Sequence, residues 1–141
     1  MAIKLIQQDA ATLLEAYHER KAEYDALRAA ERWAGAVLYA GSLLELALKL
    51  VLCRHLAVTN LPAIFQVHDL ELLLYCSGLY ARFSSDDLLN ENFLLIQKRW
   101  SMALRYEGAT KTQRDADEFE QALFAPTHGV ITFLSKYFQG A

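Results

Sequence analysis

The 141-residue chain is poor in the residues that interrupt or cross-link a fold, with only two prolines, six glycines and two cysteines. Two cysteines are too few for a disulfide framework and lack the close repeated spacing of a zinc site. Both lie in apolar segments, so we interpret Cys53 and Cys76 as free buried thiols in a reducing compartment. No Gly-, Ser- or Pro-rich linker interrupts the chain, which predicts a single domain over residues 1–141.

A strong excess of charge of one sign is also lacking. Fourteen Lys and Arg residues oppose seventeen Asp and Glu residues, which gives a formal net charge of -3. This balance excludes the broad basic field on which nonspecific binding of double-stranded DNA depends, although a local patch could still bind RNA or a nucleotide. The apolar share of 54% and the charged share of 22% are typical of a globular protein.

Long uncharged apolar runs are absent too. The N-terminal segment Met1–Asp9 has no apolar core of signal-peptide length. The most apolar stretch, Trp33–Cys53, contains Glu45 and Lys49, and a lysine at the centre of a membrane span costs about 2.5–3.5 kcal/mol. We therefore expect the central helix of a soluble cytoplasmic protein and no membrane association. Arg54-His55 would form the cationic end of that helix.

Helical periodicity is what the sequence does have, and strand signals are poor. The predicted fold class is all-α, an antiparallel bundle of five helices in which the apolar residues of the second helix fall on almost every side, so that this helix lies at the centre of the bundle. The five predicted helices are about Asp9–Arg28, Glu31–His55, Asp69–Tyr80, a fourth between Ser85 and Gly108, and a last one from near Asp115 that Pro126 must kink or split.

The fourth predicted helix has a regular core stripe in steps of four and three residues. This spacing predicts that all five members are helical and buried. The tryptophan in the stripe is interpreted as a core or interface residue before a base-stacking one. The stripe consists of Leu89, Phe93, Ile96, Trp100 and Ala103.

Two pairs of polar residues among these apolar segments each have two possible interpretations. Glu45 and Lys49 lie four apart on one helical face and would form a buried pair that bridges helices, or else a polar patch at a ligand groove. In His68-Asp69, Asp69 would cap the third helix, and His68 could instead titrate in a pocket.

Arg105-Tyr106, at the end of the fourth predicted helix, has two interpretations as well. The pair would hydrogen-bond to the last carbonyl groups at the helix C-terminus, where the helix dipole favours a cation. Alternatively, it would anchor an anionic ligand, because a guanidinium group binds phosphate and carboxylate groups. No Gly-rich phosphate loop, metal spacing or Ser-centred nucleophile motif is present, so no cofactor and no metal are expected.

Three short patterns occur in a recognisable order: Leu44–Leu52, His68–Leu73 and Leu104–Glu107. Their order and separation resemble the HEPN family of small helical bundles, over roughly Ala30 to the C-terminus. The resemblance implies an up-and-down bundle of four to five helices, commonly a homodimer. It also implies binding of nucleotides or RNA, or a role as the partner of a small nucleotidyltransferase.

Some members of that family are metal-independent ribonucleases with an Arg followed by a His after four to six residues, and this sequence departs from the pattern. None of its four histidines follows an Arg at that distance. The nearest match to the spacing is Arg99 followed, after five residues, by Arg105 in place of the histidine. An arginine stays protonated and cannot accept a proton. A non-catalytic binding or assembly module is therefore expected, the alternatives being a divergent ribonuclease or toxin with His68 as its base, or a purely structural interaction dimer. The candidate ligand-binding residues are Glu45, Lys49, His68, Arg99, Arg105 and Tyr106.

Overall fold

The computed structural model describes residues 8–139. Most of the segment Met1–Asp9, for which the sequence analysis expects no signal peptide, lies outside the described residues. The described part is all-helical, as predicted, and contains an isolated bridge between Asp9 and Asn60 but no strand. It has two 3-10 turns, Ala63–Phe65 and Met102–Tyr106, and seven α-helices rather than five. The helices are α1 Ala10–Ala29, α2 Trp33–His55, α3 Leu70–Cys76, α4 Tyr80–Ser84, α5 Asp87–Arg99, α6 Gln113–Phe124 and α7 Val130–Ser135.

The first two helices form a hairpin with a three-residue connection. Asp9 caps α1, because its Oδ1 accepts a hydrogen bond of 2.8 Å from the backbone N–H of Thr12. The chain reverses at Glu31, whose φ of 57° is left-handed. Beyond the turn, Gly35 lets α2 approach α1 closely, since a Cβ there would lie 3.2 Å from Leu27 Cδ1.

The second helix is the centre of the molecule, as its sequence predicts. It packs against α1, α3, α6, α7 and the Met102–Tyr106 turn, and fourteen of its 23 residues are buried. Within residues 8–139, α2 alone is long and apolar enough to cross a membrane, with 78% of its most apolar window buried inside the protein. Cys53 on this helix is a free buried thiol, and burial raises its pKa, whereas Cys76 is free but only half-buried.

The fourth predicted helix is shorter than its apolar stripe suggested. α5 ends at Arg99, and Trp100 adopts an extended backbone. Trp100 is buried, as predicted, but its indole Nε1 donates to the Leu38 carbonyl oxygen at 2.9 Å and its ring covers Gly41, where a Cβ would lie 2.2 Å away. A buried indole needs an acceptor, and this one lies on α2 rather than along α5. Ala103 was wrongly predicted to be buried, since it is exposed in the turn that follows.

The third predicted helix, Asp69 to about Tyr80, ends early: α3 stops at Cys76, and a separate helix, α4, begins at Tyr80 in a region where no helix was predicted. Ser77 ends α3 by donating its hydroxyl to the Leu74 carbonyl at 2.6 Å and accepting from the Leu79 N–H at 3.2 Å. Gly78 then takes a φ of 85°, which favours glycine. The sequence prediction of a helix through Tyr80 missed this turn because the apolar spacing continues across it.

The last predicted helix is split at Pro126 and not merely kinked. α6 begins with a capping box between Thr112 and Asp115 and ends at Phe124. α7 begins after Gly129, which packs so closely on the preceding turn that a Cβ would lie 2.5 Å from the Ala125 backbone nitrogen. The proline and the glycine together place α7 against α2 and α6.

Candidate functional site

Glu45, Lys49 and His68 meet in what we call the α2 polar cluster. Lys49 Nζ donates to Glu45 Oε2 at 3.2 Å, and Glu45 Oε1 lies 2.7 Å from His68 Nδ1. Glu45 is 9% exposed and Lys49 is 5% exposed. The predicted buried pair therefore exists, with a correction: Glu45 and Lys49 pair within α2, and the bridge to a second segment is made by His68.

His68 differs from its two partners because its side chain is 58% exposed. A carboxylate can only accept, so Nδ1 carries the hydrogen and Nε2 is the remaining basic nitrogen of a neutral ring. The neighbouring Asp69 is the predicted cap of α3, and its Oδ1 accepts from the Leu72 N–H at 3.0 Å. The α2 polar cluster thus fixes an imidazole at the protein surface through a buried carboxylate.

Arg99 belongs to a different group, which we call the α5–α6 network and which consists of Arg99, Arg114, Asp115 and Glu118. Arg99, at the end of α5, donates to Asp115 at 2.7 Å and to Glu118 on α6. Arg114 donates to the other oxygen of Glu118 at 3.0 Å. The predicted ligand-binding residue Arg99 is therefore engaged by two carboxylates and ties α5 to α6.

The two carboxyl groups of this network have lowered pKa values for different reasons. The pKa of Glu118 is lowered chiefly by its hydrogen bond to Arg99, and then by that to Arg114. The pKa of Asp115 is lowered chiefly by the backbone N–H of Thr112 in the capping box, and Arg99 has a smaller effect. Both effects favour the ionised carboxylate.

Arg105 and Tyr106 form a third group at the end of the Met102–Tyr106 turn. The Arg105 guanidinium carbon lies 5.3 Å from the centre of the Tyr106 ring, and Tyr106 is 81% exposed. The backbone N–H of Glu107 satisfies the Leu104 carbonyl at the end of the turn. Arg105 thus stacks on the tyrosine, and in the described part of the chain it forms no ion pair.

The six predicted residues accordingly fall into three groups, and no hydrogen bond or ion pair within residues 8–139 connects one group to another. Over the same range, no group of three or more His, Cys, Asp or Glu residues could hold a metal ion.

The sequence prediction missed two features that only tertiary packing creates. The hydroxyl of Tyr24 on α1 donates to Glu120 on α6, and burial followed by this contact raises the tyrosine pKa. A pocket of about 270 Å³ lies at the C-terminal end of α2, where Arg54 and His55 meet Tyr137 and the Ser77–Leu79 turn. The sequence indicated only the cationic end of α2. Nothing in it shows that Tyr137, in the segment after α7, lies beside Arg54 and His55.

No protein-family model matches this sequence, and no curated protein or solved structure is significantly similar to it. The function therefore has to be inferred from the residues and the geometry of the chain itself.

Proposed function

We propose that the chain is a non-catalytic, HEPN-like binding and assembly module that acts in the cytoplasm as a homodimer. In this proposal its helices form an up-and-down bundle around α2, and its surface binds a nucleotide, RNA or a partner enzyme such as a nucleotidyltransferase. The order of the three sequence patterns supports the family, and the central position of α2 is in keeping with it.

The observation that carries the binding activity is the exposed Arg105–Tyr106 pair. Tyr106 is 81% exposed, so its ring is accessible to another molecule. A nucleobase can stack on the tyrosine, and the guanidinium 5.3 Å from the ring can bind a phosphate oxygen. The other candidates are engaged within the protein, which favours structural roles for Lys49 and Arg99.

Titration with ATP, GTP and a short single-stranded RNA, read as the melting temperature, tests the binding activity. A ligand that binds the folded chain at a hundredfold excess over its dissociation constant stabilises it by about 2.7 kcal/mol, so the melting temperature should rise. Arg105→Ala should abolish the rise and leave the unliganded melting temperature unchanged. Lys98→Ala, another exposed cation, is the control. If none of the three ligands raises the melting temperature, the binding activity is refuted.

A purely structural interaction dimer is favoured by apolar side chains exposed on α3 and α4. Leu72, Tyr75 and Tyr80 are 39%, 66% and 43% exposed, and the two tyrosine rings lie 5.2 Å apart. Light scattering on the purified chain should give twice the monomer mass, and Tyr75→Ser should return it to the monomer if this surface is the interface. A monomer at all concentrations would contradict the homodimer in both proposals.

A divergent ribonuclease is favoured by the contact between His68 and Glu45. A carboxylate on Nδ1 orients the ring and leaves Nε2 as a base, the arrangement that hydrolases use to move a proton. If this candidate is right, the wild type cleaves RNA without added metal and His68→Ala does not. His18→Ala, which changes an exposed histidine on α1, should retain cleavage. RNA that stays intact with the wild type would contradict the candidate.

A further inference from the structure

The lining of the pocket at the C-terminal end of α2 contains a cation and no carboxylate. Its ionisable lining residues are Arg54, His55 and Tyr137, and no carboxylate is among the residues that line it. The chain as a whole carries a net charge of -3, so the charge of this lining is opposite to that of the chain. A concave site lined by a cation and by no carboxylate attracts anions.

Two further cations outside the lining lie against aromatic rings, and one of these rings, that of Tyr137, belongs to a lining residue. Lys136 Nζ lies 5.6 Å from the ring centre of Tyr137 and 4.2 Å from that of Phe133. The Arg82 guanidinium carbon lies 5.7 Å from the Phe133 ring centre. None of Arg54, Arg82 and Lys136 forms an ion pair with a carboxylate in the described part of the chain. Cations interleaved with aromatic rings are typical of surfaces that bind single-stranded nucleic acid or nucleotides.

The end of α2 does not need Arg54 or His55 for its own capping. The N–H groups of Ala57 and Val58 donate to the carbonyls of Arg54 and Cys53, at 3.1 and 3.0 Å, and Ala57 is left-handed with a φ of 54°. Backbone groups thus satisfy the last carbonyls of the helix. Arg54 Nη1 donates to the Tyr137 carbonyl at 3.1 Å, which fixes the side chain at the pocket. A guanidinium has five N–H donors, so others remain for a ligand.

The imidazole of His55 is held in place by Gly78. A Cβ at Gly78 would lie 2.5 Å from His55 Cε1, so the ring packs directly on the glycine backbone. The turn that presents Gly78 is fixed in turn by the Ser77 hydroxyl, which bonds to Leu74 and Leu79. The part of the pocket lining formed by His55 and Gly78 is therefore preorganised, which lowers the entropy lost on binding.

We propose that this pocket binds a phosphate group of a nucleotide or of single-stranded RNA. Arg54 and Lys136 contact the phosphate oxygens, and the rings of Tyr137 and His55 contact the attached sugar or base. A guanidinium and an ammonium group together offer several charge-assisted hydrogen bonds to one oxygen-rich anion. The site is separate from Arg105–Tyr106 and requires neither that pair nor the family resemblance.

Amide chemical shifts of the ¹⁵N-labelled chain test the site with three probes: inorganic phosphate, AMP and a single-stranded RNA decanucleotide, each at matched ionic strength. The amides of Gly78 and Leu79 should shift in a saturable way. Arg54→Gln should weaken binding about tenfold or more, because a charge-assisted hydrogen bond is lost. Lys136→Gln should weaken it as well, and this variant keeps the bond between Arg54 and Tyr137.

Arg32→Gln is the matched control. Arg32 is an exposed arginine at the opposite end of α2, about 33 Å from Arg54 along the helix axis. It makes the same change in net charge, so a general electrostatic effect would appear in both variants. Saturable binding of inorganic phosphate alone would identify a small anion site, and tighter binding of AMP or RNA would identify the nucleotide or the strand as the source of the phosphate.

The absence of shifts at Gly78 and Leu79 with every probe would overturn the site, and so would equal weakening by Arg32→Gln and Arg54→Gln. Binding that is lost in Arg105→Ala but kept in Arg54→Gln and Lys136→Gln would also refute this pocket, and it would leave the binding module proposed above intact. The reverse pattern would place the ligand here and remove the role of Arg105.

Discussion

The α2 polar cluster and the α5–α6 network are built from the same kinds of side chain and differ in their access to water. In the α2 polar cluster the side chains of Lys49 and Glu45 are 6% and 11% exposed. In the α5–α6 network the side chains of Arg99, Asp115 and Glu118 are each about one-third exposed. Both groups connect two segments of the chain.

The difference shows how burial decides what an ion pair contributes. A charge taken out of water loses its hydration, so Lys49 and Glu45 are tolerated only because each compensates the other. A partly exposed pair keeps much of its hydration and is screened by salt, so it contributes little. The α5–α6 network can lose a member at low cost, and the α2 polar cluster cannot.

Glu45→Ala is expected to have the largest effect. It leaves the buried ammonium of Lys49 without its carboxylate and His68 without its partner, and breaking a buried pair costs about 3–5 kcal/mol. Urea unfolding should show this loss in the free energy of unfolding.

The matched control removes both charges. Glu45→Leu combined with Lys49→Met keeps the apolar volume of α2 and should restore most or all of the lost stability, since apolar replacement of a buried pair is often neutral or stabilising. A loss in Glu45→Ala well under about 1 kcal/mol would mean that Lys49 reaches water, and the contrast between the two groups would then disappear.

Arg99→Gln should have a smaller effect at neutral pH. It removes the guanidinium that joins α5 to Asp115 and Glu118, and the loss expected for a partly exposed network corresponds to a decrease in melting temperature of about 2–4 °C. Most of this decrease should vanish in about 1 M salt, because the charges are partly exposed and screened. A decrease as large as that of Glu45→Ala, unaffected by salt, would contradict the comparison.

Sequence periodicity predicted the parts of this fold that depend on one helix at a time. The apolar circumference of α2 and the cap at Asp69 are local properties, because a helix face or a cap is decided within a few residues. The free thiol at Cys53 followed from its apolar surroundings in the same way.

Predictions that depended on contacts between segments distant in sequence were less successful. Trp100 continues the apolar spacing of α5, but its indole finds an acceptor on α2 and the helix ends before it. Arg99 looks like a free cation in the sequence, and only the packing of α6 against α5 brings two carboxylates to it. Hydrogen-bond partners distant in sequence leave no periodic signal.

The candidate site was predictable to a similar extent. The sequence brought Glu45 and Lys49 together because four residues make one helical turn, and it singled out His68 by its place before a cap. It could not show that His68 meets Glu45, since 23 residues separate them. The grouping of Arg54 with Tyr137 lies beyond any local pattern for the same reason.

The smallest expected effect is that of Arg99→Gln in acid. The folded chain lowers the pKa of Glu118 below 4.5 and that of Asp115 below 3.8, so each carboxylate stabilises the fold above these values, and the contribution is lost as the pH falls through the folded pKa. Arg99 is the first cause of the shift at Glu118 and a minor one at Asp115. The difference in melting temperature between wild type and Arg99→Gln should therefore shrink as the pH falls below about 4.5 and through the lowered pKa of Glu118, while both proteins keep the acid sensitivity that the Thr112 cap gives to Asp115. Melting curves across that range measure the difference directly. A difference that stays constant as acid protonates both carboxylates would mean that Arg99 stabilises the chain by packing, including its contact 5.4 Å from the Phe119 ring centre, and not by its charge.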